Sequence, residues 1–365
     1  MELANLIEGA VKLQASDIHL MEDYPPYFRV DSDLIPVKHP PITRDDMKST
    51  LDILIPERLK HKLEEQRGVD ISYQHKDIIR CRVIVFFERN KYKIVLRLIP
   101  MKPLTFEDLD LPDVLKKISD SRRGMVLVTG PTGCGKSTTL AAIVDYINST
   151  RKISITTIED PIEYVHQNKK AIVAQREVGD DVTSFNSGLI QALRQDPDVI
   201  LVGEMRDMDT MRTAIKAAET GHLVFSTLHT NNATQTIERI LGTFPQIEQS
   251  MIREQIGYNL RSVVTQNLAR RIDGKGRVAA LEILVVTDMI RKLILDNRIG
   301  DIPGVMKGGE EGMQTFDQGL ANLVKANKIT EEEGALYTHD VFAYKRFIKG
   351  VQSSSDRGGI ILGFS

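Results

Sequence analysis

Residues 125–138 read Met125-Val126-Leu127-Val128-Thr129-Gly130-Pro131-Thr132-Gly133-Cys134-Gly135-Lys136-Ser137-Thr138. An apolar run enters a complete GxxxxGK[ST] loop, and the chain leaves through Thr139-Leu140-Ala141-Ala142-Ile143-Val144, a helix-like stretch. Strand, glycine-rich turn and helix in that order are the context a phosphate-binding loop needs. The glycines let successive N–H groups turn inward toward phosphate oxygens. The helix that follows adds the positive end of its dipole. The motif predicts that the chain binds a nucleoside triphosphate through Gly130, Pro131, Thr132, Gly133, Cys134, Gly135, Lys136, Ser137 and Thr138. Lys136 is expected to reach the β- and γ-phosphates, and the Ser137 hydroxyl to ligate Mg²⁺.

Outward from the loop, apolar runs at 125–129, 153–159, 198–203 and 222–228 alternate with helical patterns. That alternation predicts a mostly parallel α/β sheet. Residues 1–99 read differently. A first helix carries Leu3, Leu6, Ile7, Ala10 and Val11 on one face, and Ile18-His19-Leu20 is a short strand. A hairpin follows at 27–30 and 34–37, turned by Asp31-Ser32-Asp33. A second helix ends near Pro56, and β-rich runs at 80–87 and 91–99 join at Glu88-Arg89-Asn90. These elements predict a small α+β domain over 1–99 with an antiparallel sheet. Pro100-Met101-Lys102-Pro103 marks a linker, 100–112, before a nucleotide-binding domain over 113–365. Past residue 287 the pattern is mainly helical, and Ser353-Ser354-Ser355-Asp356-Arg357-Gly358-Gly359 is expected to be a flexible tail.

The 365 residues suffice for two domains. With 48 basic and 50 acidic side chains the net charge is −2, so no global field points to nucleic acid or an anionic membrane. Two cysteines, Cys81 and Cys134, cannot form a four-thiolate zinc site, and their positions argue against a disulfide. The reducing cytoplasm fits. The first residues, Met1-Glu2-Leu3-Ala4-Asn5-Leu6, lack the basic start of a signal peptide, and no apolar run approaches the ~20 residues of a membrane span.

Three further stretches carry candidate chemistry. Asp198-Val199-Ile200-Leu201-Val202-Gly203-Glu204 is an apolar strand ending in a carboxylate, expected beside the phosphate loop at the C-terminal edge of one sheet. Gly203 stands where an aspartate is usual, which leaves Glu204 to touch Mg²⁺ through water. Thr156–His166 places Glu159, Asp160 and Glu163 just after a strand, where each could orient water or metal. Acids in a turn are also commonly just solvated, and spacing alone leaves both readings open. Thr220-Gly221-His222-Leu223-Val224-Phe225-Ser226-Thr227-Leu228-His229-Thr230 puts His229 at a strand's C-terminal end, where a polar group can sense the γ-phosphate. His222 begins that strand; it is a candidate nucleotide contact or a locally satisfied histidine.

In this order the four stretches resemble the secretion-ATPase superfamily: phosphate loop, aspartate box, degenerate second nucleotide motif and histidine box. Within it the chain is similar to the type IV pilus retraction ATPases, the twitching-motility motors of the PilT/PilU group. Ala15-Ser16-Asp17-Ile18-His19-Leu20 and Gly312–Gln318 match this group too. Met289-Ile290-Arg291-Lys292-Leu293-Ile294 looks like its retraction motif, although Leu295 and Asn297 depart from the usual continuation. The resemblance implies a PAS-like N-terminal domain, a RecA-like ATPase domain and a homohexameric ring that uses ATP and Mg²⁺. It implies that Glu163 and Glu204 share the work on attacking water and metal. It also implies that arginines of the N-terminal sheet, here matched by Arg82 and Arg97, reach nucleotide phosphates across domain or subunit boundaries. The implied partners are an inner-membrane pilus platform protein and, indirectly, pilin, with the motor at the cytoplasmic face of that membrane.

Three other readings compete. Pilus-assembly or type II secretion ATPases are typically longer and carry a four-cysteine zinc insertion. A nucleic-acid translocase on the same core lacks support from charge or an aromatic-basic stripe. A nucleotide-binding regulator without turnover sits poorly with Glu163, Glu204 and His229. One residue departs from pattern: Cys134 stands where serine is usual. At a helix N-terminus it is expected to favour the thiolate and to be shielded from alkylation by ATP.

Overall fold

The structure, a computed structural model, describes residues 2–30, 33–76, 78–99 and 103–350. It divides into two compact units, Met1–Pro103 with Pro161–His166, and Leu104–Asp160 with Gln167–Ser365. Thus 104–112 groups with the second unit, and the segment containing Glu163 groups with the first. The expected turn at Asp31-Ser32, most of the Pro100–Pro103 linker and the Ser353–Gly359 tail lie outside the described residues.

In the first unit the order is α1 (Leu3–Lys12), β1 (Asp17–Met21), β2 (Tyr27–Val30), β3 (Asp33–Pro36), α2 (Arg44–Leu54), α3 (Glu57–Gln66), β4 (Gly68–His75), β5 (Ile79–Glu88) and β6 (Lys91–Ile99). The α1 stripe buries Leu3, Leu6, Ile7 and Ala10. Thr43 and Asp46 form a reciprocal capping box that starts α2. The six strands form one antiparallel sheet, β3-β2-β1-β6-β5-β4. Alternation along β5 sends Ile79, Cys81, Val83 and Val85 into the core and the intervening residues outward. Two elements, α3 and β4, had no clear signature. α3 buries only Leu63, so no apolar stripe marks it.

The second unit runs α4 (Val114–Ser119), β7 (Gly124–Thr129), α5 (Lys136–Thr150), β8 (Ser154–Glu159), β9 (Ile172–Glu177), α6 (Phe185–Ala192), β10 (Val199–Val202), α7 (Met208–Glu219), β11 (Leu223–Leu228), α8 (Ala233–Thr243) and α9 (Gln246–Asn259). It continues through β12 (Leu260–Arg270), β13 (Arg277–Val285), α10 (Asp288–Leu295), α11 (Ile302–Met306), α12 (Phe316–Lys325), α13 (Glu331–Ala335) and α14 (Val341–Ile348). Seven strands order as β13-β12-β7-β11-β10-β8-β9. All neighbours are parallel except the β12–β13 hairpin. Every residue of β7, β10 and β11 is buried, as expected for strands covered on both faces. The hairpin and β9 are strands beyond the four anticipated. The retraction-like motif forms α10, and Thr315 with Gln318 closes a capping box at the start of α12.

Candidate active site

Strand order decides what meets at the C-terminal edge of the sheet. β11 lies between β7 and β10, with Leu228 opposite Thr129 and Ser226 opposite Val202. The phosphate loop leaves β7, His229 follows β11, and Glu204 follows β10. Glu204 is therefore two strands from the loop, about 10 Å at the usual strand spacing, and His229 emerges between them.

Within the loop, Gly130, Gly133 and Gly135 have φ of +135°, +78° and +89°, a region side chains rarely adopt. A Cβ on Gly130 would stand 2.3 Å from the Gln266 carbonyl oxygen. The loop delivers Lys136 and Ser137 to the first turn of α5, whose free N–H groups and dipole favour an anion. Lys136 Nζ donates to the carbonyls of Gly130 at 2.8 Å and Pro131 at 3.0 Å, which holds the ammonium over the loop.

Glu204 is the focus of the second half. Arg206 Nε donates to its Oε2 at 2.8 Å, and His229 Nε2 lies 3.2 Å from its Oε1. The carboxylate is mostly shielded, whereas both partners are open to solvent. These groups line a pocket of about 430 Å³ with Met205, Leu228, Thr230 and Arg239. Gly203 is explained by space: a Cβ there would lie 3.2 Å from the Ile158 carbonyl and from the Phe185 ring. A side chain there is crowded, and the neighbours would have to give by a few tenths of an ångström to admit one. The oxygen donors suit Mg²⁺, which is usually held by one or two protein groups plus phosphate rather than by a full protein cage. Ser137 and Glu204 are the residues that would hold it.

The other expected residues fall elsewhere. Glu159 accepts from Thr157 Oγ1 at 2.6 Å and Gln175 Nε2 at 3.1 Å. Glu163 is half-buried in the 161–166 segment of the first unit. His222 sits at the opposite end of β11, about 20 Å along the strands from the phosphate-loop edge. Its Nδ1 is 2.9 Å from the Ala217 carbonyl, so within one chain it does not join the loop. In the first unit, Arg82 and Arg97 are direct cross-strand neighbours. Arg82 grips Asp70 with Nε at 3.1 Å and Nη2 at 2.6 Å, and Arg97 Nε donates to Asp17 at 3.0 Å.

A family model described as "Type II/IV secretion system protein" matches residues 2–349. The chain belongs to this family. The type IV pilus retractation ATPase PilT of Pseudomonas aeruginosa is 45% identical over 333 residues, 91% of this chain and 96% of that protein. A twitching motility protein of Neisseria gonorrhoeae is 44% identical over 308 residues, 84% of this chain and 82% of its own length. The crystal structure of the pilus retraction motor PilT with bound ADP superposes with a TM-score of 0.89 at 43% identity, covering 95% of this chain and 99% of that one. The mixed α/β fold with an N-terminal domain is thus the fold of secretion ATPases.

Three residues of this secretion-family site had escaped the sequence reading. Arg206 and Arg239 carry no motif of their own. Gln266 on β12 is 1% exposed, and its amide fastens the phosphate loop. Its Nε2 donates to the Cys134 carbonyl at 2.5 Å, and its Oε1 accepts from Thr139 Oγ1 at 2.9 Å. Gln266 sits in the polar triplet Thr265-Gln266-Asn267 after Val263-Val264, so nothing in the local sequence sets it apart.

The expectation of a thiolate at Cys134 is overturned. Its side chain is buried, and burial pushes the thiol up, with Lys136 and nearby N–H groups only partly offsetting this. The thiol form is favoured, and shielding comes from packing. This makes Cys134 a reporter of loop order. Gln266→Ala leaves a buried carbonyl and hydroxyl unpaired, a loss of about 1–3 kcal/mol. The variant should alkylate at Cys134 at least about tenfold faster and bind nucleotide about tenfold more weakly. Peptide mass mapping separates this signal from Cys81, which is fully buried in the other unit. Native labelling and affinity in Gln266→Ala would show that the loop stands without this amide.

Proposed function

We propose that this protein is the ATPase motor of type IV pilus retraction, coupling ATP hydrolysis to pilus disassembly in twitching motility. The observation that carries the reading is the convergence of the phosphate loop, His229 and the His229–Glu204–Arg206 cluster on one sheet edge. Backbone N–H groups of residues 130–138 and the Lys136 ammonium bind the phosphates of ATP. When bound through Ser137 and Glu204, Mg²⁺ supplies charge neutralisation at the phosphoryl oxygens. Glu204 and Glu163 orient and deprotonate water, and His229 holds the Glu204 carboxylate while sensing the γ-phosphate.

Arg82 and Arg97 act on the nucleotide of a neighbouring subunit in a homohexamer. The half-exposed Arg82–Asp70 pair contributes only about 0–1 kcal/mol and exchanges readily for phosphate, whereas Asp17 is buried and keeps Ser16 and Arg29 as partners when Arg97 leaves it. An arginine delivered to a transferring phosphoryl group can raise turnover by ~10³–10⁵. Engagement and release of these arginines with each nucleotide is the step that would move the ring. No helix among the described residues is long and apolar enough to cross a membrane. Work is delivered through an inner-membrane platform protein, and through it to pilin, at the cytoplasmic face.

Deleting the gene in its host tests the assignment. Cells should extend pili that fail to retract. The native gene should restore retraction, whereas Lys136→Ala and Arg97→Ala should not. Normal retraction in the deletion strain would sink the motor reading.

A further inference from the structure

Glu282 lies midway along β13, opposite Thr265 of β12, and is only 8% exposed. Its Oε1 accepts the N–H of Ala233 at 2.7 Å, and the backbone N–H of Phe316 lies close enough to favour its ionised form. Ala233 and Phe316 are the first residues of α8 and α12. At both helices the preceding residue, Asn232 or Thr315, caps the third N–H of the first turn. One buried carboxyl thus accepts the first N–H of α8 and lies beside the first N–H of α12, two helices from different parts of the chain.

Those two helix starts differ in what they carry. α8 is entered through His229-Thr230-Asn231-Asn232, so its first turn anchors the loop that brings His229 to Glu204. α12 opens the C-terminal helices, which share a small core with β12 and β13 through Phe316, Leu320, Ile329 and Tyr344. Glu282 also belongs to a buried polar row under the phosphate loop. Its cross-strand neighbour Thr265 meets Thr129 through hydroxyls 2.8 Å apart, and Gly130 follows Thr129.

We propose that Glu282 is a positioning residue that couples the placement of the His229 loop to the docking of the C-terminal helices. A shift of α12 on β13 pulls on the carboxyl, and through Ala233 it moves the entry to α8 and the histidine before it. The proposal rests on the reading of His229 given above.

Folding alone does not account for an acid here. Burial pushes the carboxyl up to about 7, above its ordinary 4.5, with Asp317 of α12 adding to the rise and the two N–H groups opposing it. Thr265 on β12 and Ala233 on α8 face it without charge. The native state therefore holds a proton that the unfolded chain releases, and this group's contribution to stability falls as pH rises from about 4.5 to about 7. The ionised form destabilises the fold while serving both helices.

Glu282→Gln keeps the shape but replaces one acceptor oxygen with an NH₂ that only donates and removes the negative charge that both helix starts favour. We expect kcat to fall about tenfold with nucleotide affinity unchanged. Thr315→Ala, which removes the α12 cap without touching the site, should lower kcat about threefold. The double variant should be no slower than Glu282→Gln, because both break one linkage. Amide hydrogen exchange over 229–233 should quicken in all three. A folded Glu282→Gln with native kcat, or losses that multiply in the double variant, would overturn the proposal. If Glu282→Gln does not fold, Thr315→Ala decides: native kcat and native exchange over 229–233 overturn it. His229→Ala run alongside separates the two ideas, because normal turnover there removes the histidine's role while the exchange data still read the coupling.

Discussion

Lys136→Ala should abolish useful nucleotide binding, with affinity for a fluorescent ATP analogue falling by ~10²–10³. The ammonium is the one full positive charge that the loop itself presents to phosphate, and it sits 2.8 Å from the Gly130 carbonyl. A charge-assisted contact of this kind contributes about 2–5 kcal/mol in a shielded site, whereas the α5 dipole that remains supplies about 0.3–1 kcal/mol. The fold should survive. Alanine is a strong helix former at the first turn, and the side chain supports no core contact. An intact melting transition with nucleotide binding lost is the expected pair of results. Native affinity in the variant would remove Lys136 from the site.

Glu204→Gln should separate binding from turnover. The change is isosteric and leaves the phosphate loop alone, so the ATP analogue should bind as tightly as to the native protein. Phosphate release should slow by ~10²–10⁴, the usual contribution of a positioned base. The neighbours sharpen this expectation. Arg206 donates to the carboxylate at 2.8 Å, and His229 Nε2 lies 3.2 Å from its other oxygen. A glutamine oxygen can accept from Arg206, and its NH₂ then faces His229, so the variant loses charge and geometry together. Native phosphate release would shift the chemistry to another acid, with Glu163 next in line.

Legibility followed the range of the interactions. The phosphate loop could be read because glycine conformation, helix start and anion binding are all properties of nine consecutive residues. The parallel sheet was readable from apolar runs at 125–129, 153–159, 198–203 and 222–228, which observed strands β7, β8, β10 and β11 match within a residue. That Glu204 and His229 touch was not readable, since 25 positions separate them and only β10–β11 pairing closes the gap. The β12–β13 hairpin was missed, and with it Gln266 and Glu282. Gln266 stands in a polar triplet of β12 and Glu282 is a lone acid in the apolar stretch of β13, and the role of each depends on what lies across the sheet.

Cys134 shows the same division from the other side. Its helix-terminal position argued for a thiolate, and desolvation by β12 reversed the outcome. A dipole effect is local and can be read along the chain, whereas burial is a property of everything that surrounds an atom. Primary structure alone therefore settled that this chain carries a phosphate loop on a parallel α/β sheet, because those features arise from contiguous residues and their periodicity. Folding in three dimensions decided what crowds Gly203 at the strand end, what clamps the loop, and which carboxyl lies between the starts of α8 and α12. Those outcomes depend on strand order and exclusion of water, and neither is encoded within any single segment.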